Sequence, residues 1–462
     1  MFSKEVYLNR RNNLKKYFDS GILLFLGNTE LPMNYPANTY RFRQDSSFLY
    51  FFGLNIPNLA GVIDLDEGTD IVFGNDVDIE DIIWTGPLPS LQENASKAGI
   101  TKTEAFVSLS KYIESAIHKG RKIHFLPPYR AENKILLSEL INVATQRVKE
   151  NASSQLIKAV ILLREIKGIE EIEHIDSIMD IGYEMHTTAM KLAVAGTFER
   201  EIAGKIEGIA LSHGGTVSFP VILSKRGEIL HNHNHENLLA MFDLLLCDAG
   251  FESSMGYATD NTRTFPVGGK FTHTQKDIYE IVLAANNKAT SLTKPDITYQ
   301  SVHLEVAKTI AQGLVDVGLM KGNVESIVEA GAHAMFFPHG LGHMMGLDVH
   351  DMEDLGENFV GYGEEVKRIK QFGTEYLRLG KKLKPGFVLT NEPGIYFIPA
   401  LIDKWRGEGL HKDFINFDKV EEYKKFGGIR LEDDLLVTDN GCRLLGNKRI
   451  PITPDELAEY IG

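Results

Sequence analysis

The sequence predicts an α+β protein of two domains, a small N-terminal α/β domain over residues 1–155 and a larger one over 156–462. Three observations carry this. A chain of 462 residues is too long for one ordinary hydrophobic core. Helix-like and strand-like patterns alternate as far as about residue 155, then run in separate blocks, which favours segregated elements over a doubly wound sheet. Between the two regimes lies the polar stretch KENASSQ, residues 149–155, the best boundary in the chain.

In the first domain ILLFLG (22–27) is a short buried strand. AGVIDLDEG followed by DIVFG forms a hairpin, and ESAIHKGRKIHFL ends in a strand closed by Pro127 and Pro128. After the boundary, Ile169, Ile172, Ile175, Met179 and Tyr183 recur at steps of three and four, the period of an amphipathic helix. A second helix covers about 198–212, and strands begin at TVSFPVIL. The stretch DLLLCDAGFESSMGYATDNTRTFPVGG reads as two antiparallel strands around a Ser-Met-Gly turn. Thr274 and Asp277 form a candidate capping box for the helix IYEIVLAANNKA, and another helix covers about 302–318. Strands return in FVLTNEP, GGIRLEDDLLVT and CRLLG.

Within these strands sit four acids and a histidine, each a single polar group in an apolar setting. They are Asp248 (LLLCDAG), Asp260 (GYATDNTRTFP), His343 (PHGLGH), Glu392 (LTNEPGIYF) and Glu432 (GGIRLEDDLL). By the period-two rule Asp260, Thr262 and Thr264 share one strand face, and so do Arg430, Glu432 and Asp434, with Leu431 on the other. A hairpin then presents Asp248 beside Asp260, and Pro393-Gly394 ends the strand that carries Glu392. Four carboxylates and an imidazole brought together would repel one another, because like charges at that range cannot all stay ionised. Two divalent cations remove the repulsion and make the cluster a hydrolytic centre.

The spacing His339-x3-His343 matches a helical zinc pair, but Gly340 and Gly342 argue for a turn. One imidazole then reaches the metals and leaves His339 and His350 to contact substrate. The tract His231-Asn-His-Asn-His235 is either a strand face that binds metal or a polar loop before a strand at Leu239. The preferred reading is one functional histidine, His231, with His233 and His235 solvated.

The 63 acidic residues against 49 Lys and Arg give a net charge of −14, which argues against nucleic acid or an anionic membrane as a partner. Two cysteines, Cys247 and Cys442, fit a reducing compartment, and no segment is apolar and long enough for a signal peptide or a membrane span. The expectation is a cytoplasmic protein.

DAGFESSMGYATDNTRTFP, PHGLGHMMGLDVHD, LTNEPGIYF and GGIRLEDDLLVT, in that order, resemble the Xaa-Pro aminopeptidase and prolidase family, whose pita-bread fold is shared with methionine aminopeptidase. RFRQDSSFLYFFGL and DIIWTGPLP resemble the family's non-catalytic N-terminal domain, so the likeness spans nearly the whole chain. It implies a dinuclear metallopeptidase acting on proline-containing peptides. Asp260 and Glu432 would bridge two ions, Asp248 would serve one ion, and His343 and Glu392 would complete the shell of one. Manganese is the expected ion, with zinc, cobalt or iron as alternatives. Glu392 is the candidate proton shuttle. His231, His339 and His350 are candidate contacts to substrate or transition state, and Arg430 orients a bridging carboxylate. One residue more than the family usually has lies between Asp248 and Asp260, and it is placed in the Ser253-Ser254-Met255 turn.

Two activities stay open. IIWTGPLP resembles aminopeptidase P, where the counterpart of Trp84 shapes the site across a subunit contact, which also implies a homodimer or higher oligomer. Residues 398–425 resemble the long prolidase insertion that carries a carboxylate-clamping arginine. Here that position holds His411, beside Lys412 and with Arg406 nearby, so a bidentate clamp is disfavoured. The expected activity is Xaa-Pro aminopeptidase, with Xaa-Pro dipeptidase as the alternative. Metal-free relatives of the creatinase type and non-peptidase pita-bread proteins lose the ligand set that is intact here.

Overall fold

A computed structural model describes residues 1–461, and the chain divides into two units. One is Met1–Arg164 with Met352–Phe359; the other is Glu165–Asp351 with the chain from Val360 onward.

In the first unit the runs ILLFL and AGVID are buried along almost their whole length, as central strands covered on both faces are. They form β1 (Ile22–Leu26) and β2 (Ala60–Asp64), joined by β3 (Thr69–Gly74), β4 (Lys102–Ala105) and β5 (Ile123–Phe125) in the order β4-β3-β2-β1-β5. The predicted hairpin is β2–β3, antiparallel with Val62 opposite Ile71, and β5 ends just ahead of the two prolines. Leu24, Val62, Phe73 and the helix residues Leu109 and Ile113 fill the core. Asp64, wholly buried at the end of β2, accepts hydrogen bonds from the Arg121 guanidinium, the Tyr112 hydroxyl and the Glu67 N–H.

The second unit opens with the expected long helix, Ile169–Leu192. Its packed face runs through Ile175, Ile178, Met179, Gly182, Met185 and Ala189. Ile169, counted in the sequence stripe, is 75% exposed in the first turn. The helix Glu199–Ser212 follows, then β6 (Thr216–Val217), β7 (Ile222–Ser224), β8 (Leu244–Ala249), β9 (Phe251–Glu252) and β10 (Asn261–Pro266). The helices His273–Leu292 and Tyr299–Asp316 separate these from β11 (Val388–Asn391), β12 (Gly394–Tyr396), β13 (Gly428–Arg430), β14 (Asp433–Val437) and β15 (Cys442–Leu444). Two three-stranded sheets result, β10-β8-β7 and β11-β14-β15, with the pairs β12-β13 and β6-β9 beside them.

Two expectations need correction. The helix His273–Leu292 is capped by Thr272 and Gln275, not by Thr274 and Asp277. The longer Gln275 side chain reaches back to the Thr272 N–H at 2.9 Å, so Thr274 and Asp277 fall inside the helix. GGIRLEDDLLVT is not one strand either: β13 pairs with β12 and β14 pairs with β11, so the ladder changes partner across Leu431 and Glu432. Among the described residues no helix is long and apolar enough to cross a membrane.

Candidate metal centre

The antiparallel pair β8–β10 delivers the first two acids. Thr262 lies directly opposite Asp248, and Asp260 precedes β10 by one residue, diagonal to Asp248 on the same face. The register runs unbroken from Ala249–Asn261 to Leu244–Pro266. The connecting turn closes through Gly256 N–H to Ser253 O and Ser253 N–H to Tyr257 O, so an additional residue there leaves the strands in phase. Glu432, in the gap between β13 and β14, donates its N–H to Thr262 O at 3.0 Å, which fastens it to β10. Arg263, fully buried on β10, locks this junction from behind. Its guanidinium donates to the carbonyls of Thr262, Glu432, Ile450 and Pro451 and to the Asp433 carboxylate.

His343 lies in extended chain laid antiparallel against β11. Met345 N–H bonds Val388 O, Thr390 N–H bonds His343 O, and Glu392 N–H bonds Leu341 O, at 2.9–3.0 Å. The approach requires glycine at 342, where a Cβ would stand 2.1 Å from Thr390 O. This ladder sets His343 beside Glu392, and no helix forms across 339–343.

Donor atoms of Asp260, His343 and Glu432 all lie within 4.8 Å of one another. His343 Nε2 is 3.4 Å from Asp260 Oδ2 and 3.6 Å from Glu392 Oε1. Its Nδ1 donates to Met344 O at 3.0 Å, which leaves Nε2 as the nitrogen facing the acids. Asp248 takes a hydrogen bond from Arg430 on Oδ2, while its Oδ1 is buried without a protein partner. Glu432 Oε2 accepts from Thr262 Oγ1 at 2.6 Å.

The electrostatics are those of a charge cluster out of water. Burial raises all four carboxyls: Asp248 and Glu392 above their usual range, Glu432 well above it, and Asp260 to about 6. For Glu432 the neighbouring Asp260, Glu392 and Asp248 push further the same way. Burial alone would lower His343, but the Asp260 and Glu392 carboxylates outweigh it and its pKa rises. A dry set of four carboxylates and one available imidazole nitrogen, with an unpartnered Asp248 oxygen, has the chemistry of a site for divalent cations.

These five residues line a cavity of about 360 Å³ together with His231, His339, His350 and Arg430, so the candidate ligands and the four residues expected to support them face one space. The His343 and His350 rings are 4.0 Å apart, centre to centre. Arg430 donates to Asp248, to Thr262 Oγ1 at 3.0 Å and to Tyr396 Oη at 2.9 Å. The carboxylate it holds directly is therefore Asp248, and it reaches Glu432, one of the two expected to bridge, only through Thr262. Tyr396 Oη is 2.9 Å from His339 Nε2, and His339 Nδ1 donates to Gly340 O at 2.7 Å, a relay that commits both nitrogens of His339. Burial drops His339 to about 3 and also lowers His231, each helped by Arg430.

Three placements differ from the sequence reading. Asp434 does not join the cavity; its Oδ2 accepts the Asp260 N–H at 3.0 Å, because β14 begins anew at Asp433. The 231–235 tract is irregular chain, the loop of the two alternatives, but Leu239, where a strand was expected to begin, lies outside any strand. Within the tract His233 is exposed, as expected, and also lines the cavity, whereas His235 is half-buried and bonds Leu223 O at 3.0 Å. Lining residues that escaped notice are Arg378, Tyr376, Phe219 and Val349. Arg378 sits in irregular chain with no periodic signal. Tyr396, which contacts Arg430 and His339, was visible in LTNEPGIYF but not singled out. His411 lies away from the cavity, packed on Trp405 at 5.1 Å, and Arg406 is ion-paired with Asp418 and Glu421.

Residues 173–439 match the model of metallopeptidase family M24, and residues 7–124 match the aminopeptidase P N-terminal domain. The chain is 30% identical over 447 residues to the Xaa-Pro dipeptidase of Homo sapiens, covering 95% of this chain and 88% of that protein. It is also 30% identical over 456 residues to the Xaa-Pro aminopeptidase of Escherichia coli K12, covering 95% and 93%. A solved structure of a Glu-to-Ala variant of E. coli aminopeptidase P in complex with substrate superimposes with a TM-score of 0.82 at 29% identity, over 100% of this chain and 98% of that one. A metallopeptidase family implies divalent metal ions, which the acid and imidazole set fits. The chain therefore belongs to metallopeptidase family M24, with an aminopeptidase P N-terminal domain ahead of a pita-bread catalytic domain.

Proposed function

We propose that the protein is a dinuclear metal-dependent exopeptidase that removes the N-terminal residue from peptides with proline in second place, an Xaa-Pro aminopeptidase. The observation that carries this is the convergence of Asp260, His343 and Glu432 donor atoms within 4.8 Å, in the wall of a cavity that Asp248 and Glu392 also line. Those five residues would hold two divalent ions. An oxygen-rich set with one nitrogen suits Mn²⁺, and Zn²⁺, Co²⁺ and Fe²⁺ are the competitors. When bound, the ions supply an acidified water and Lewis-acid polarisation of the substrate carbonyl.

The chain's own groups account for the rest. Glu392, its carboxyl raised by burial, accepts a proton from the attacking water and returns it to the leaving proline nitrogen. Arg430 fixes the Asp248 carboxylate and, through Tyr396, the ring of His339. His339 is committed to that relay, and His231 and His350, which line the same cavity, would contact the substrate carbonyl and backbone. Phe219, Ile222, Leu230 and Val349 form an apolar wall suited to a proline ring, whose fixed φ limits the conformations the pocket must accept.

Arg378 favours a second reading. A guanidinium in the same cavity can take the free carboxylate of a dipeptide in a bidentate grip, the recognition an Xaa-Pro dipeptidase needs. Hydrolysis of an Xaa-Pro dipeptide compared with an Xaa-Pro-Yaa peptide, each with added Mn²⁺, decides between them. Turnover of the longer peptide is the expected result, and activity confined to the dipeptide overturns it. The reading also places a non-catalytic domain at 1–155, the catalytic domain at 156–462, a homodimer or higher oligomer, and a cytoplasmic location that the acidic composition and two unpaired cysteines support.

A further inference from the structure

The β11–β14 ladder ends at the pair Asn391–Asp433, so Glu392 and Glu432 each lie one residue outside it. No strand bond joins these two acids, yet the residues in front of them share one partner. Asn286, fully buried on the helix His273–Leu292, donates from Nδ2 to Asn391 O at 3.3 Å and to Leu431 O at 3.1 Å. Asn391 precedes Glu392, and Leu431 precedes Glu432. Asn391 returns its own Nδ2 to Asn286 O at 2.9 Å and to Thr290 Oγ1 at 3.1 Å. Arg449 completes the bracket, donating to Asn286 Oδ1 at 2.9 Å and to Asp433 Oδ2 at 2.7 Å.

From this arrangement we propose that Asn286 is a positioning residue that sets the separation of the Glu392 and Glu432 carboxylates and thereby the affinity for the paired cations. The inference rests on the metal reading above. A helix side chain whose two amide protons span two separate chain segments fixes the distance between those segments. Rotating either carbonyl would leave a buried hydrogen-bonding group unpaired, so the two segments are held together. Thr290, one turn further along the helix, accepts from Asn391 Nδ2 and donates to Asn286 O but makes no bond to Leu431, so it does not span the two segments and serves as the internal control.

The test uses the full chain, titrated with MnCl₂ by calorimetry and followed by the electron paramagnetic resonance of bound Mn²⁺. Asn286→Leu keeps the volume and removes both donors. It should bind Mn²⁺ roughly 10–100-fold more weakly than wild type and weaken the spin-coupled signal of closely spaced ions, with unchanged circular dichroism. Thr290→Val should bind as wild type does. Wild-type affinity and signal in Asn286→Leu, or an equal loss in Thr290→Val, overturn the assignment. If Asn286→Leu does not fold, Asn286→Ser, which keeps one donor, takes its place, and wild-type affinity there overturns it equally. A wild-type protein that binds no divalent cation overturns this inference together with the metal reading; binding that is indifferent to residue 286 overturns this inference alone.

Discussion

The two units bury carboxylates in opposite ways. In the N-terminal unit Asp64 lies wholly inside, and burial alone would raise its pKa. The Arg121 guanidinium, the Tyr112 hydroxyl and the Glu67 N–H outweigh that and hold it below the usual carboxylate range. In the C-terminal unit Asp248, Asp260, Glu392 and Glu432 are all raised, and Arg430 divides its guanidinium among Asp248, Thr262 and Tyr396. Even within one stretch the contrast holds: Asp433, next to Glu432, is held low, because Arg263 and Arg449 outweigh its burial. A buried acid matched by a guanidinium is a brace. A group of buried acids in excess of their cations is a site that a metal completes.

Breaking that contrast at the centre should have the largest effect. Asp260→Ala or Glu432→Ala should abolish Mn²⁺ binding and reduce hydrolysis of an Xaa-Pro-Yaa peptide to background, checked by metal analysis and peptidase assay together. A fully active Asp260→Ala protein would refute the assignment. Next, Glu392→Gln should lower kcat by about 10²–10⁴-fold through loss of proton transfer, with KM much less affected. Asp64→Asn should leave metal affinity untouched and destabilise the N-terminal unit by about 1.5–3 kcal/mol, the worth of hydrogen bonds to a charged group, read from urea unfolding.

The smallest effect is in pH dependence, where the two kinds of acid should slope oppositely. Asp64 has a depressed folded pKa, so its stabilisation is present above the unfolded carboxyl pKa of about 4 and is lost as pH falls through the lower folded value. Asp260 has a raised one, so the metal-free protein binds the extra proton in its folded state and loses stability as pH climbs from about 4 to about 6. Saturating Mn²⁺ should reverse the second slope, since the ion requires the deprotonated acid. Melting curves from about pH 2 to pH 7, with and without chelator, measure both, the Asp64 slope below about pH 4 and the Asp260 slope above it. A metal-free Tm that rises steadily from pH 4 to 7 would count against the raised group.

What the sequence revealed follows the physics of regular strands. Asp260, Thr262 and Thr264 could be assigned to one strand face because side chains alternate along a strand, the hairpin then set Asp248 beside Asp260, and the α+β class followed from the block order of elements. Glu432 was found for a less secure reason, since the strand that was to carry it breaks at Leu431. The motif survived the break, but the neighbour Asp434 did not follow it into the cavity. Arg378 was invisible because irregular chain has no period, and its approach to the cavity is set by tertiary contacts alone. The helix cap was misplaced by two residues because THTQKD contains two overlapping capping patterns, and side-chain reach decides between them.

The buried Arg263 has a consequence for how the protein comes together. Its guanidinium ties residue 263 to Glu432, Asp433, Ile450 and Pro451, partners up to 188 positions away along the chain. Contacts that distant form late, after the entropy of closing long loops has been overcome. A nascent chain released at residue 440 would already contain all five candidate donors, yet it would lack two of the carbonyls that seat this guanidinium. Competence to take up metal would thus wait on Ile450 and Pro451, residues that carry none of the candidate donors.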